Sequence, residues 1–170
     1  TTGTVTFRDS KIVGATYAIN FDGSEGGNIV IDNCVIQGWT SFASTITKVT
    51  ISDSEFSDEA YYKLLRFYQN AEVTNTVFPA GMRIDSGNGG TGMAGITVKF
   101  TGCSVADGSN FENVFPGSVI VNSDIIVDGE KLDETDINLR LAFEMMEDED
   151  GTLHKLAEQN REKRIKAQSE

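Results

Sequence analysis

One short phrase recurs along the chain and restricts its fold more than any other feature. The clearest copy is Val49-Thr50-Ile51-Ser52-Asp53-Ser54-Glu55-Phe56. Its grammar is apolar, any, apolar, any, then Asp, Asn, Gly or Ser, then a small residue, any, apolar. Earlier copies are built on Val5, Phe7, Asp9, Ser10 and Ile12, and on Ile29, Ile31, Asn33, Cys34 and Ile36. Later ones use Ala71, Val73, Asn75, Thr76 and Phe78, then Val98, Phe100, Gly102, Cys103 and Val105. A degenerate last copy runs from Val119 through Ser123 and Asp124 to Ile126. The fifth positions fall at 9, 33, 53, 75, 102 and 123, at intervals of 24, 20, 22, 27 and 21 residues. A period in the twenties is the mark of a solenoid.

Within the phrase, apolar residues two apart line one side of a strand. Asp, Asn and Gly at the fifth position tolerate a left-handed backbone, so the chain can turn a corner there. The sixth position is mostly small, as a crowded inner corner requires. Looser strands are expected between phrases at Ala18–Phe21, Leu64–Phe67, Met82–Ile84 and Phe111–Phe115. Each coil then holds about three short strands. One coil cannot bury its apolar side alone, but stacked coils can. The expected fold class is all-β: a right-handed parallel β-helix of about six coils over residues 1–128, with a helical appendage over 129–170. Six coils make a rod of about 29 Å.

The phrase resembles the coil repeat of right-handed parallel β-helix proteins of the pectate-lyase-like superfamily, whose stacked Asn or Asp turn matches the corner positions 9, 33, 53 and 75. The resemblance implies a fold shared by polysaccharide lyases, phage tailspikes, bacterial surface proteins and non-catalytic modules. The short stack points to a non-catalytic surface or phage-type member. In lyases of this fold, Ca²⁺-binding acids and an Arg or Lys base lie on a strand face. No such motif maps onto this chain residue by residue, and no cofactor is expected.

Composition narrows the function further. A net charge of −12 and a pI near 4.4 argue against nucleic-acid binding. No apolar run is long enough for a membrane-spanning helix. The sequence starts without Met or a signal-peptide pattern, as a mature form, a processed product or an excised fragment would. Cys34 and Cys103 share the sixth position three coil steps apart, about 14 Å, beyond disulfide reach. Both read as buried free thiols. The only histidine is His154, in the tail, so no metal cluster is expected.

Two loops attract attention. The Gly-rich stretches at 22–28 and 85–95 read as turns and excursions, with neither the Lys nor the following helix of a phosphate loop. The stretch 57–68 gathers Asp58, Glu59, Tyr61, Tyr62 and Arg66, with Arg83 and Asp85 one coil on. Alternation would stack Arg66 and Arg83 outward about 5 Å apart. The resemblance to lyases with acids and an Arg or Lys base on a strand face makes Asp58, Glu59, Arg66, Arg83 and Asp85 a candidate groove; the alternative is a solvated ion-pair ladder between stacked coils. Trp39, the only tryptophan, either stacks on a sugar ring or packs over the coil edge.

The ends are read as docking elements. Nothing in the first coil covers its upper side, so it is expected to meet a domain, a subunit or a partner, unless Thr1–Thr4 fold over it. After Asp128 the grammar stops. Ile137, Leu141, Phe143 and Met145 form a helical apolar face, and Leu153 and Leu156 open a second, charged helix. These six residues either cover the last coil or dock on a partner.

The reading that follows is a structural or recognition module of a larger surface assembly, extracellular, on a cell surface or in a virion, with a glycan-contacting face and self-association through its ends. The alternative is a polysaccharide lyase or glycoside hydrolase of the β-helix type. No catalytic residue is assigned.

Overall fold

Alternating apolar residues broken by a left-handed corner produce strand, turn and strand in each repeat. The computed structural model describes residues 3–21, 26–42, 44–86, 96–114, 118, 123–132 and 152–169, with the backbone alone at 112, 113, 152–158, 164 and 168. The first sheet takes one strand from each coil: β1 (Gly3–Arg8), β3 (Gly27–Asp32), β5 (Lys48–Ser52), β8 (Asn70–Thr74), β11 (Thr97–Thr101) and β13 (Asp124–Val127), all parallel. The second sheet begins with β2 (Lys11–Asn20) on β4 (Val35–Ser41). In the third coil the equivalent strand splits. β6 (Glu55–Phe56) pairs with the first part of β4, and β7 (Leu64–Phe67) pairs with its last residues. The two columns continue as β9 (Val77–Phe78) and β12 (Ser104–Val105), and as β10 (Arg83–Ser86). The chain is a parallel β-solenoid of about four complete coils rather than six.

Registers confirm the column geometry. Ile29 lies on Val49, Val49 on Ala71, Ala71 on Val98, and Val98 on Ile125. All five are buried. Stacked apolar side chains of this kind fill the inside of the coil, each touching only the coils above and below. Aromatic rings do the same: Phe21, Phe42 and Phe67 stack at 6.4 and 5.9 Å, and Phe56 and Phe78 at 5.0 Å.

The corners adopt the conformation expected of them. Among the described residues, five that are not glycine have positive φ, and four of these are Asp9, Asn33, Asp53 and Asn75, at 47–52°. Gly102 continues the column at φ 64°. The corner side chains bond to one another. Asn33 Nδ2 donates to Asp9 Oδ1 at 2.7 Å, and Asn75 Nδ2 to Asp53 Oδ1 at 3.4 Å. Alternating Asp with Asn puts a donor next to each of these acceptors and avoids two adjacent carboxylates.

The sixth position has a role that size alone did not indicate. Ser10, Ser54 and Thr76 each donate a hydroxyl hydrogen bond to the carbonyl two residues back, at 2.7, 2.7 and 2.9 Å. Cys34 and Cys103 make the same contact through sulfur, at 3.4 and 3.8 Å. Ser, Thr and Cys share a single X–H donor; at Asp32, Ser52, Thr74 and Thr101 it adds a second bond to a carbonyl that also accepts the corner N–H of the preceding coil. Burial pushes the Cys103 thiol above its usual range, against the pull of backbone hydrogen bonds from its neighbours. It therefore remains protonated and able to donate at neutral pH. Both cysteines are free.

The end of the stack departs from the sequence reading. Val98 pairs with Ile125 and Phe100 with Val127, so the last copy of the phrase sits at 125–129, not at 119–126. Asp128 and Gly129 then take φ 48° and 81°. Two successive positive φ values match the twist of a two-residue hairpin turn, and β14 (Glu130–Leu132) returns antiparallel to β13. The sheet thus runs past position 128. The stretch at 111–115, expected as a strand, is a 3-10 helix over Phe111–Val114. Three-residue spacing turns Phe111 and Val114 to the same side, and both are buried.

The last helix, α1 (Thr152–Ser169), starts at Thr152 as its sequence indicates. Arg161 lies 3.8 Å from Glu130 of the hairpin. Leu153 and Leu156 are in this helix, with side chains outside the described residues, as are Ile137, Leu141, Phe143 and Met145 altogether. At the opposite end, among the described residues β1 pairs with β3 alone, and Val5, of inward parity, is 46% exposed. Among the described residues, no helix is long and apolar enough to cross a membrane.

Candidate functional site

Outward-facing side chains of successive coils lie about 4.8 Å apart, close enough for rings and guanidinium groups to stack. On the outer face of the second sheet they form one continuous ladder. Tyr17 of β2 stacks on Trp39 of β4, with centroids 4.5 Å apart and planes 24° from parallel. The Arg66 guanidinium covers the indole at 5.1 Å. Such a cation–π contact contributes about 0.5–2 kcal/mol, more where water is excluded. Arg66 then reaches the next coil, where its Nη2 donates to Asp85 Oδ2 at 3.2 Å. Arg83 Nε donates to the other carboxylate oxygen at 2.8 Å.

A bulge in β2 makes the top of this ladder possible. The β2–β4 register shifts on both sides of Tyr17. A Cβ at Gly14 would lie 1.7 Å from the Tyr17 carbonyl oxygen, so the bulge admits only glycine there. Gly14→Ala should therefore move Tyr17 off the indole, at a cost of about 1–3 kcal/mol for the overpacking. Trp39 is the only tryptophan. A shift in emission maximum together with a lower urea midpoint checks this directly, and unchanged emission would contradict it.

The loop between β6 and β7 adds the exposed aromatics. Ser57 N donates to Ile36 O at 2.8 Å, Glu59 N to Ser57 Oγ at 3.2 Å, and Arg83 N to Lys63 O at 2.9 Å. Lys63 and Asp58 form an ion pair within the loop. Braced in this way, the loop holds Tyr62 6.4 Å from Trp39 and Tyr61 edge-on to Tyr62 at 4.8 Å. Tyr61 is 84% exposed.

Of the residues singled out in the sequence, Trp39, Tyr61, Tyr62, Arg66, Arg83 and Asp85 come together. Asp58 turns to Lys63 instead, and Glu59 lies on the solvent side of the loop. Arg66 and Arg83 do not stack as alternation suggested. Asp85 lies opposite Arg66 in the register, and Arg83 lies opposite Leu64. The order cation, carboxylate, cation removes the repulsion that two stacked guanidinium groups would feel. Trp39 carries Tyr17 on one face and Arg66 on the other, so neither face is open to a sugar. Its Nε1 is buried with no hydrogen-bond partner among the described residues. A desolvated donor left unpaired costs about 1–3 kcal/mol.

Two members of the site were missed in the sequence. Tyr17 precedes Trp39 by 22 residues, one coil, and that spacing could have revealed it. Tyr68 hydrogen-bonds Arg66. Partial burial works against the Arg66 charge, but hydrogen bonds to Tyr68 and Asp85 outweigh it and raise the guanidinium's pKa above its ordinary value. This cation is permanent.

A second concavity of about 320 Å³ lies on the outer face of the first sheet, bordered by Asn70, Thr97 and Lys99. Lys48 and Glu72 bridge it at 3.3 Å. Among the described residues, no cluster of His, Cys, Asp or Glu could hold a metal ion.

Comparison with known proteins adds no relative: no protein-family model matches the sequence, and no curated protein or solved structure does either. The coil repeat and its geometry define the chain as a parallel β-solenoid.

Proposed function

We propose that this chain is a non-enzymatic recognition module: a short β-helix of the pectate-lyase-like kind that serves in a larger surface assembly, on a bacterial cell or in a virion, and contacts glycans through its lateral aromatic face. The observation that carries the reading is the braced loop. A tyrosine 84% exposed is held edge-on to a second tyrosine, which itself lies 6.4 Å from the tryptophan, so its ring is presented to a ligand. Tyr, Trp and Arg are the residues that dominate binding hot spots. Tyrosines held in place give up little entropy on binding. The edge of β1, unpaired among the described residues and with Val5 exposed, supports attachment to another part of the assembly.

An array of neutral and acidic surface polysaccharides tests the reading. Binding is expected, with at least a tenfold loss in Tyr61→Ala and an unchanged melting temperature. An array without a single ligand overturns it.

The lyase or hydrolase reading draws on the same arginines. Asp85 argues against it: the side chain is 3% exposed and both oxygens accept from guanidinium groups, so it is not free to act as base or nucleophile. Release of unsaturated or reducing ends, abolished by Arg66→Ala, would establish the enzyme instead.

A further inference from the structure

The Arg66–Asp85–Arg83 cluster carries more positive than negative charge, in a chain whose net charge is −12. Two guanidinium groups share one carboxylate. Arg66 is further engaged by the Trp39 ring and by Tyr68. Arg83 is different: its side chain is 45% exposed, and among the described residues only its Nε is committed, to Asp85. The edge formed by its two terminal nitrogens is turned away from the Nε–H by the planar geometry of the group, and carries two parallel donors.

Such a preset fork is the arrangement that recognises a carboxylate or sulfate through two parallel hydrogen bonds. Asp85 holds the fork in place but leaves a positive charge for a second anion. Lys63 O accepts from Arg83 N, so the strand that carries Arg83 runs beside the end of the loop that presents Tyr61 and Tyr62. The tyrosine rings offer apolar faces to a ring-shaped ligand.

From this juxtaposition we infer that the loop tyrosines and Arg83 form one site for an acidic sugar, with the ring on Tyr61 and Tyr62 and its carboxylate or sulfate on Arg83. Asp85 and Arg66 position Arg83 and do not touch the ligand. This rests on the recognition reading above and specifies its ligand.

The test measures binding of three tetrasaccharides of equal length to the whole chain: an all-hexuronate, an O-sulfated hexose and the neutral hexose. The inference expects at least one acidic oligosaccharide to bind tenfold or more tighter than the neutral one. That preference should disappear in Arg83→Ala and return in part in Arg83→Lys, which keeps the charge without the fork. Raising the salt from about 0.05 to 0.5 M should weaken the acidic ligand far more than the neutral one. Arg83→Ala should melt within a few degrees of the parent, since Asp85 retains Arg66. Binding by the carboxylated ligand alone, or by the sulfated one alone, supports the inference and identifies the anion. Equal binding of acidic and neutral ligands, lost in Tyr61→Ala but not in Arg83→Ala, overturns it and leaves the recognition reading standing. A poly-glutamate peptide that binds as tightly as the acidic sugars also overturns it, because the site would then read charge without the ring. Absence of binding by all three oligosaccharides overturns it, and if the polysaccharide array is also blank the parent reading fails with it.

Discussion

Phe78→Ala should destabilise the chain by about 3–5 kcal/mol, the usual cost of emptying a buried phenylalanine site. Phe78 is fully buried and belongs to the fourth coil. It stacks almost parallel on Phe56 of the third coil at 5.0 Å, and meets Phe100 and Phe111 of the fifth at 6.2 and 5.4 Å. A solenoid has no distant contacts to compensate, because each coil is held only by its neighbours. Urea unfolding followed by circular dichroism measures the loss. Tyr61→Ala, at an exposed site, serves as the control and should stay within about 0.5 kcal/mol. A loss below about 1 kcal/mol for Phe78→Ala would mean that the interior at this level is loosely filled.

Asp85→Ala is the second large effect expected, about 2–4 kcal/mol. Breaking a buried ion pair from one side costs about 3–5 kcal/mol, because the remaining charge is left without a partner. Here the carboxylate is buried, while the Arg66 and Arg83 side chains are 26% and 45% exposed, so both cations can turn partly to water. The value is reduced accordingly. Removing Arg83 instead should cost less, since the Asp85 charge stays paired with Arg66 at 3.2 Å and the Arg83 side chain is itself 45% exposed. The double variant Arg66→Met, Asp85→Ala should recover at least half of the loss, because it removes the stranded cation as well. Equal losses for Asp85→Ala and Arg83→Ala would show that the carboxylate is not the pivot of the cluster.

The architecture was legible because each corner is encoded by one residue type with a distinct backbone preference. Asp9, Asn33, Asp53 and Asn75 were placed from the sequence, and all four take the left-handed conformation. The final turn was misplaced by the same grammar. Val119–Ile126 fits the pattern loosely, whereas Asp128-Gly129 is a hairpin signal that belongs to no coil. A periodic template does not show where the period stops. The coil number is lower for that reason: the fifth coil supplies β11, β12 and a 3-10 helix, and after β13 the chain turns back as β14.

The site was legible in composition but not in register. Arg66 and Arg83 occupy the second-strand position of adjacent coils in the sequence, yet Arg66 is the third residue of β7 and Arg83 the first of β10. Which residue faces Arg66 depends on the length of the loop that precedes each strand, and no local pattern gives it. The β2 bulge that brings Tyr17 over Trp39 is similarly invisible to strict alternation. Its only trace is Gly14, where a side chain would collide with the Tyr17 carbonyl.

The corner bonds have a directional sense with a bearing on how such a chain can lengthen or shorten. Asn33 serves the Asp before it and Asn75 does likewise, so the smallest interchangeable unit is a pair of coils. Excising two coils would join Asp9 to Asn75 and reproduce the existing joint. Excising one would set Asp9 against Asp53, carboxylate on carboxylate, with no amide between them. Duplication and loss in such a chain should accordingly proceed in even steps.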